Sequence, residues 1–499
     1  MDQTLILHRN FYNAGHTRSL KFRLHQLANL KDLIQRNEQV LCQAVYEDLK
    51  RDHGLTKQLE LAQCLTEIDY FSRNLKHWME PERVEKTLSQ AMDQPFIVKE
   101  PYGTVLLMTT WNFPILMCFF PLIPIIAAGN TVVMKCSEHC PASVTVVEKL
   151  MREYFDPDYI SVVTGGPEVA SEVLKHKFDK IMYTGSPNVG KIIMEAASKH
   201  LTPCVLELGG KCPVVVLPDT DVSIAARRIV WAKLVNSGQV CITADYLLVH
   251  SDILDQFIAE CHKVITEFYG EHVKNSKDYC RIINGSHFNR LNNLLLASKG
   301  HVVLQYGQPD LEDLFFPPTL VQIGLNDPLM ADEIFGPILP ILSIQSLEDG
   351  IKFINARNTP LAAYIFSKCH KSIDKFIHQV PSGGIVANDL LVHFFSDTLP
   401  FGGCGTSGMG VYRGKHGFDE FTHQKAVIKK GYFGEVLAES RYPPFSQAKY
   451  SRLAFLLTRR DFPPKILRFI GNHWCGILFG IAISALLQAI RHRIPFLKY

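Results

Sequence analysis

No residue class and neither sign of charge dominates the 499-residue chain, and this absence of bias excludes several protein classes. Lys and Arg total 52 against 49 Asp and Glu, with 47% apolar residues, so the chain lacks the high net charge and low hydrophobicity of a disordered one. Pro (27) and Gly (32) are near average usage, which excludes fibrous and low-complexity architectures. The 13 cysteines are odd in number and follow no spaced framework, and the opening Met1-Asp2-Gln3-Thr4 lacks a basic region followed by a long apolar stretch. We therefore expect no signal peptide, no disulfide scaffold and a reducing compartment. No segment repeats at a fixed period. At roughly 100 to 200 residues per domain, the length corresponds to two to four domains.

The balanced total conceals a polarised chain. Residues 441–499 hold ten Lys/Arg and a single acid, Asp461, a net charge of +9, which leaves the remainder at −6. An acidic body offers no basic surface for nucleic acid, so the tail points instead to a membrane. Residues 474–490, WCGILFGIAISALLQAI, carry no charge; as a helix they span about 26 Å, slightly less than the roughly 30 Å hydrocarbon core. Lys465, Arg468 and His473 flank one end and Arg491, His492, Arg493 and Lys498 the other, with Trp474 at a boundary. These flanks favour a single membrane anchor over a buried core helix, with the body left in the cytosol. The endoplasmic reticulum, whose bilayer is thinner, suits the shortfall, and the peroxisome is the alternative. Just upstream, Tyr450, Leu453, Ala454 and Leu457 share one helical face while Lys449, Arg452, Arg459 and Arg460 cluster on another side. Such a helix lies on a bilayer surface or packs on the body.

In the body, the first 75 residues show helical periodicity (Leu27, Leu30, Leu33, Ile34, then Val40, Leu41, Ala44, Val45), from which we expect two or three helices. From Gly103 the texture changes to short β-branched runs over 104–108, 131–134, 160–163, 180–183 and 204–207, separated by longer helical stretches. That alternation is the signature of a parallel, doubly wound sheet. A second alternating series follows, with helices near 222–235, 254–269 and 347–356 and strands at 246–249, 338–344, 363–366 and 384–387. Two α/β domains are expected.

Several short motifs carry chemistry. Residues 184–191, TGSPNVGK, match GxxxxGK, but Ile192 stands where a P-loop needs a hydroxyl for Mg²⁺. What remains is a turn with Gly185 and Gly190, opening a helix whose N-terminal amides suit a phosphate, or two packing glycines. Cys241 ends NSGQVC (236–241), where small polar neighbours suit an accessible thiolate, whereas Cys118 and Cys475 sit in apolar runs. A small buried residue is the competing reading. Residues 136–140, CSEHC, have one cysteine pair and one His without a second half-site, so we assign no metal ligand. Glu207 ends an apolar strand, where a carboxylate is either salt-bridged or raised in pKa toward general-base duty. Asn112, in WNFP (111–114), follows another strand of the same sheet, so its amide belongs at the crevice outside the strand carboxyl ends or in an ordinary turn.

Taken together, WNFP, KCSE (135–138), TGSPNVGK, LELGGK (206–211), NSGQVC, EIFGPILP (333–340) and LPFGGCGTSGMG (399–410) resemble the aldehyde dehydrogenase superfamily over about residues 5–445. The compact amino terminus, the RYPP segment at Arg441 and the apolar tail are similar to its class 3 branch, among the membrane-bound members acting on fatty aldehydes. The resemblance implies two doubly wound α/β domains, a small oligomerisation element and a C-terminal transmembrane helix. On that pattern residues 1–81 with 103–208 form an NAD-binding domain and 209–410 a catalytic domain. Residues 82–102 with 411–435 form a bridging element, 436–473 a basic amphipathic segment and 474–490 the anchor. It implies that Cys241 attacks the aldehyde, that Asn112 and the Cys241 backbone amide hold the oxyanion, and that Glu207 deprotonates the water that hydrolyses the thioester. Lys135 and Glu138 would meet the adenosine ribose, the carboxylate favouring NAD over NADP. Gly185, Ser186 and Gly190 would cradle the pyrophosphate, Glu333 would bind the nicotinamide ribose, Phe335 would pack beside the nicotinamide, and Phe401 would line the substrate side. The implied reaction is oxidation of long-chain aldehydes to fatty acids by a homodimer; the alternatives are a membrane-tethered enzyme of broad or medium-chain specificity and a catalytically silent scaffold of the same fold. Cys136 stands where the family usually has proline and Cys404 where valine is common, which bears on loop rigidity and oxidant sensitivity.

Overall fold

The strand Thr104–Met108 is buried at every position, as an apolar run covered on both faces must be. In the computed structural model, which describes residues 1–432, 435–458 and 461–462, this strand lies within a six-stranded sheet. Its order is Gly408–Met409, Cys204–Leu208, Lys180–Gly185, Thr104–Met108, Thr131–Lys135, Ile160–Val163. The five long strands are parallel; Gly408–Met409 pairs antiparallel with Leu206 and Glu207. A seven-stranded sheet follows in the order His301–Gln305, Thr319–Gln322, Ile338–Ile344, Tyr246–His250, Pro213–Val216, Ala362–Phe366, Gly384–Ala387. It too is parallel except for its edge strand His301–Gln305. Each sheet has its own apolar core: Leu106, Val133, Ile181 and Leu206 belong to one, Val215, Leu248, Leu342 and Ile365 to the other.

The α/β expectation of two largely parallel sheets therefore holds, while four strands escape the periodicity, the two-residue Gly408–Met409 among them. Pro213–Val216 has only four residues and follows Cys204–Leu208 after four more, with no helical stretch between them to mark it as a separate strand. His301–Gln305 is a half-exposed edge, and Thr319–Gln322 has only four residues between turns. The amino-terminal region also exceeds the expected two or three helices. Asp2–Asn13, Leu20–Arg36, Glu38–Leu49 and Ala62–Trp78 are joined by a short turn, His53–Thr56, that runs into a π-helical stretch, Lys57–Leu61. Val40 points outward with 44% exposure, whereas Leu41, Ala44 and Val45 are buried; consecutive residues on a helix cannot share a face.

The described chain divides into two compact units, Met1–Trp78 with Pro101–His423, and Met79–Glu100 with the described residues from Gln424 on. Both sheets above belong to the first. In the second, Glu82–Arg83 pairs antiparallel with Gln94–Pro101, and Thr422–Lys429 completes a three-stranded sheet. Lys425–Glu100 and Lys430–Asp93 ion pairs support it, both at 2.9 Å. The basic helix expected near residue 450 is present as Gln447–Leu457, capped by the Ser446 hydroxyl, and none of its residues is buried. Among the described residues no helix is long and apolar enough to cross a membrane, and the anchor expected at 474–490 lies outside them.

Candidate active site

Parallel strands end together, and helix N-termini follow them, so polar residues just past the strand ends converge on one crevice. Here that crevice is a cavity of about 960 Å³. Asn112, Gly185, Ser186, Gly190, Glu207, Cys241, Glu333, Phe335 and Phe401 all line it. Lys135 and Glu138 stand apart from the lining: Lys135 ends strand Thr131–Lys135 beside Met108, and its Nζ donates to Glu138 Oε2 at 2.8 Å.

Cys241 follows three residues in left-handed conformation, Asn236 (φ 52°), Ser237 (φ 51°) and Gly238 (φ 74°). Such a turn is strained for the two non-glycine residues and persists because side chains fasten it. Ser237 Oγ donates to Cys280 O at 2.8 Å. Gln239 Nε2 donates to Asn236 O (3.1 Å) and Arg281 O (3.0 Å), and its Oε1 accepts from the Ile283 amide at 3.0 Å. A Cβ at Gly238 would strike the Gly336 carbonyl. The thiol is partly open to the cavity; burial, reinforced by the Glu333 and Glu207 charges, pushes its pKa up.

Glu207, only 3% exposed, pairs in the strand register with Gly408 and Thr184. Neither carboxylate oxygen has a hydrogen-bond partner, so the salt-bridge reading of this residue does not apply. Burial first, and the Glu420 charge second, raise its pKa well above the usual carboxylate range. Asn112 is 4% exposed. One Nδ2 hydrogen is held by the Gln239 carbonyl at 3.0 Å, which ties the WNFP turn to the cysteine loop and leaves the second amide hydrogen free to serve a ligand.

At the other end of the cavity Ser186 caps the 12-residue helix Pro187–Ser198, its hydroxyl accepting from the Val189 amide at 3.4 Å. A Cβ at Gly185 would collide with the Tyr183 hydroxyl, one at Gly190 would lie 2.8 Å from Leu208 Cδ2, and one at Gly209 would strike the Glu333 carboxylate. A strand end followed by small residues and a helix N-terminus suits a pyrophosphate, and the Glu333 carboxylate beside Gly209 suits a ribose, so these residues fit a nicotinamide dinucleotide. Burial, with the Asp245 charge, raises Glu333 to about 8. Phe335 (φ 50°) meets Trp111 edge-on at 5.3 Å. Phe401 is packed by Phe394 at 5.0 Å, Tyr412 at 5.7 Å and His393 at 5.8 Å.

Three supporting residues lie beyond the predicted set. Lys211 pairs with Asp245 and donates to Leu329 O (2.8 Å) and Asp332 O (2.9 Å). Asp245 accepts from the Ile334 amide at 3.0 Å, and Arg290 donates to Ile334 O at 2.6 Å. Together they hold the loop that carries Glu333 and Phe335. Lys211 lies inside LELGGK, a signal that was available; Asp245 and Arg290 had none.

Residues 12–427 match the model of the aldehyde dehydrogenase family. Mouse aldehyde dehydrogenase family 3 member A2 is 41% identical over 92% of this chain and 95% of its own length. The mouse dimeric NADP-preferring aldehyde dehydrogenase is 43% identical over 89% of this chain and 97% of its own. Among solved structures, a substrate-bound state of Staphylococcus aureus AldH has a TM-score of 0.88 at 38% identity, covering 91% of this chain and 99% of that one. With the family model matching most of the chain and relatives above 40% identity spanning nearly its whole length, the chain belongs to the aldehyde dehydrogenase family, in its class 3 branch, and is an aldehyde-oxidising enzyme that uses a nicotinamide cofactor.

Proposed function

We propose that this enzyme oxidises long-chain aliphatic aldehydes to fatty acids with NAD, through a covalent intermediate on Cys241. The observation that carries the chemistry is the meeting, in one cavity, of a partly open thiol, a buried carboxylate without partners and an amide with a spare hydrogen. Cys241 Sγ attacks the aldehyde carbon: the S–C bond forms, the C=O electron pair moves onto oxygen and the thiol proton passes to solvent water, while Glu207 and Glu333 are the carboxylates whose charges the thiol feels. Asn112 Nδ2 and the Cys241 backbone amide then hold the oxygen of the thiohemiacetal. When bound, the nicotinamide supplies the acceptor for the hydride that leaves the aldehyde carbon. Glu207 takes a proton from the water that attacks the resulting thioester, a role suited to a raised pKa, and the acid departs as the thiol is restored.

In this reading Gly185, Ser186 and Gly190 carry the pyrophosphate, Glu333 the nicotinamide ribose, and Phe335 packs beside the nicotinamide. Lys135 and Glu138 meet the adenosine ribose. The name of the mouse NADP-preferring relative sets a contrast. We assign NAD here because Glu138 already neutralises Lys135, and its carboxylate beside an adenosine ribose would repel a 2′-phosphate. We assign coenzyme binding to residues 1–81 with 103–208, the cysteine chemistry to 209–410, and contact with a second copy to 82–102 with 411–435, in keeping with the dimeric relative.

The long-chain assignment rests on the substrate side of the cavity, where Leu116, Met117, Trp231, Leu391, Phe394 and Phe401 are apolar, together with the uncharged residues 474–490. Each buried methylene contributes about 0.8 kcal/mol, so a long aldehyde resides in the bilayer and an anchored enzyme meets it there. We place the enzyme at the endoplasmic reticulum membrane, with the peroxisomal membrane as the alternative. The test is NADH formation by detergent-solubilised protein with a saturated long-chain aldehyde, a short one, and a Cys241→Ala control. Long-chain turnover that depends on Cys241 supports the assignment; preference for the short aldehyde removes the chain-length claim, and silence with both removes the activity.

A further inference from the structure

Arg51 and Glu60 form an ion pair whose two side chains are both 0% exposed, and neither residue lines the cavity. Desolvating two charges is costly, and a well-packed apolar pair is often at least as stable, so the contacts of this pair need an explanation. Glu60 lies in the π-helical stretch Lys57–Leu61, a geometry that recurs at functional sites. Its Oε2 accepts the backbone amides of Ile115 and Leu116, both at 2.8 Å, at the start of the helical turn that follows Asn112. Arg51 spends its other nitrogen on the two loops of the site. Nη1 donates to Asn236 Oδ1 at 3.0 Å and to the Asn112 carbonyl at 3.3 Å. Asn236 Nδ2 in turn donates to that same Asn112 carbonyl at 2.8 Å, and the guanidinium lies 4.9 Å from the Phe113 ring centroid.

The partners of the pair are thus groups of the WNFP turn, of the helix that it opens, of the cysteine loop, or of its own segment at Thr56. We infer that Arg51 and Glu60 are positioning residues for the reaction: the buried pair locks Asn112 against the Asn236–Cys241 loop and so fixes the oxyanion donor relative to the nucleophile. A lysine at position 51 would retain the charge but lose the fork that holds Glu60 through Nη2 and both loops through Nη1 at once.

This inference rests on the activity proposed above, and a double-mutant cycle separates the two. Full-length Arg51→Lys and Glu60→Gln proteins are compared with wild type, and again in an Asn112→Ala background, by NADH formation at saturating coenzyme. Displacement by about 1 Å costs up to roughly 100-fold in rate. We therefore expect Arg51→Lys to lower kcat at least about tenfold while the coenzyme KM stays within about twofold. In the Asn112→Ala background the same change should cost less than about twofold, because the group it positions is gone. Equal fold losses in both backgrounds would overturn the inference, as would failure of both variants to fold, which would assign the pair to folding alone. An inactive wild type would instead overturn the proposed activity.

Discussion

Replacing Glu207 with Gln tests the core of the chemistry without changing the shape of the site. The carboxylate is 3% exposed and neither oxygen has a partner, so Gln removes the base and leaves every neighbouring hydrogen bond intact. If Glu207 acts only after the oxidation, the first turnover survives and the hydrolysis of the thioester fails. General-base catalysis contributes about 10²–10⁴-fold, equivalent to about 2.7–5.5 kcal/mol on the barrier, so the steady-state rate should fall by that factor. A rapid-mixing experiment should still show a burst of NADH stoichiometric with enzyme, and intact-mass measurement should find the acyl group on Cys241. In the wild type, the rate should rise with pH along an acid limb lying above the ordinary carboxylate range, since burial raises this pKa. Steady-state turnover within tenfold of wild type, or loss of the burst itself, would refute the assignment of Glu207 to hydrolysis.

Glu207 also makes a stability prediction. Burial raises its folded pKa well above the ordinary glutamate value of 4.5, so its contribution is fully present below pH 4.5 and declines as pH rises toward the folded pKa. Thermal melts should show Glu207→Gln gaining on wild type above pH 4.5, by about 1.4 kcal/mol per unit of displacement; a difference independent of pH would contradict this. Gly209→Ala places a methyl against the Glu333 carboxylate and should raise the coenzyme Kd at least about tenfold, measured by fluorescence titration. Glu138→Gln frees the Lys135 ammonium, now 2.8 Å from that carboxylate, and should lower the ratio of kcat/KM for NAD over NADP by about tenfold. Ending the chain before Pro463 should abolish co-sedimentation with vesicles and long-chain turnover in them, while short-aldehyde turnover in solution persists; unchanged vesicle turnover would refute the anchor.

What was legible in the sequence and what was not divides along a physical line. Asn112, Glu207 and Cys241 each sit at the end of a contiguous run whose local pattern fixes the geometry, a strand end for the first two and a glycine-containing turn for the third. The parallel sheet then carries them to one side without further information. Gly185 and Ser186 are legible for the same reason. Arg51, Glu60, Asp245 and Arg290 are not, because the bonds that tie them to the site span 34 to 185 residues, as in Lys211–Asp245 and Arg51–Asn236. A charged residue in an amphipathic helix looks solvated until the fold places a carbonyl above it. The turn that presents Cys241 shows how the two levels depend on one another. Asn236 and Ser237 occupy successive left-handed conformations, which asparagine tolerates and serine does not favour, so the nucleophile motif does not adopt its working shape alone. Bonds from Arg51, Cys280, Arg281 and Ile283 hold it. The reactive residues are therefore written locally, and the strain that aims them is balanced by groups that only the folded chain brings near.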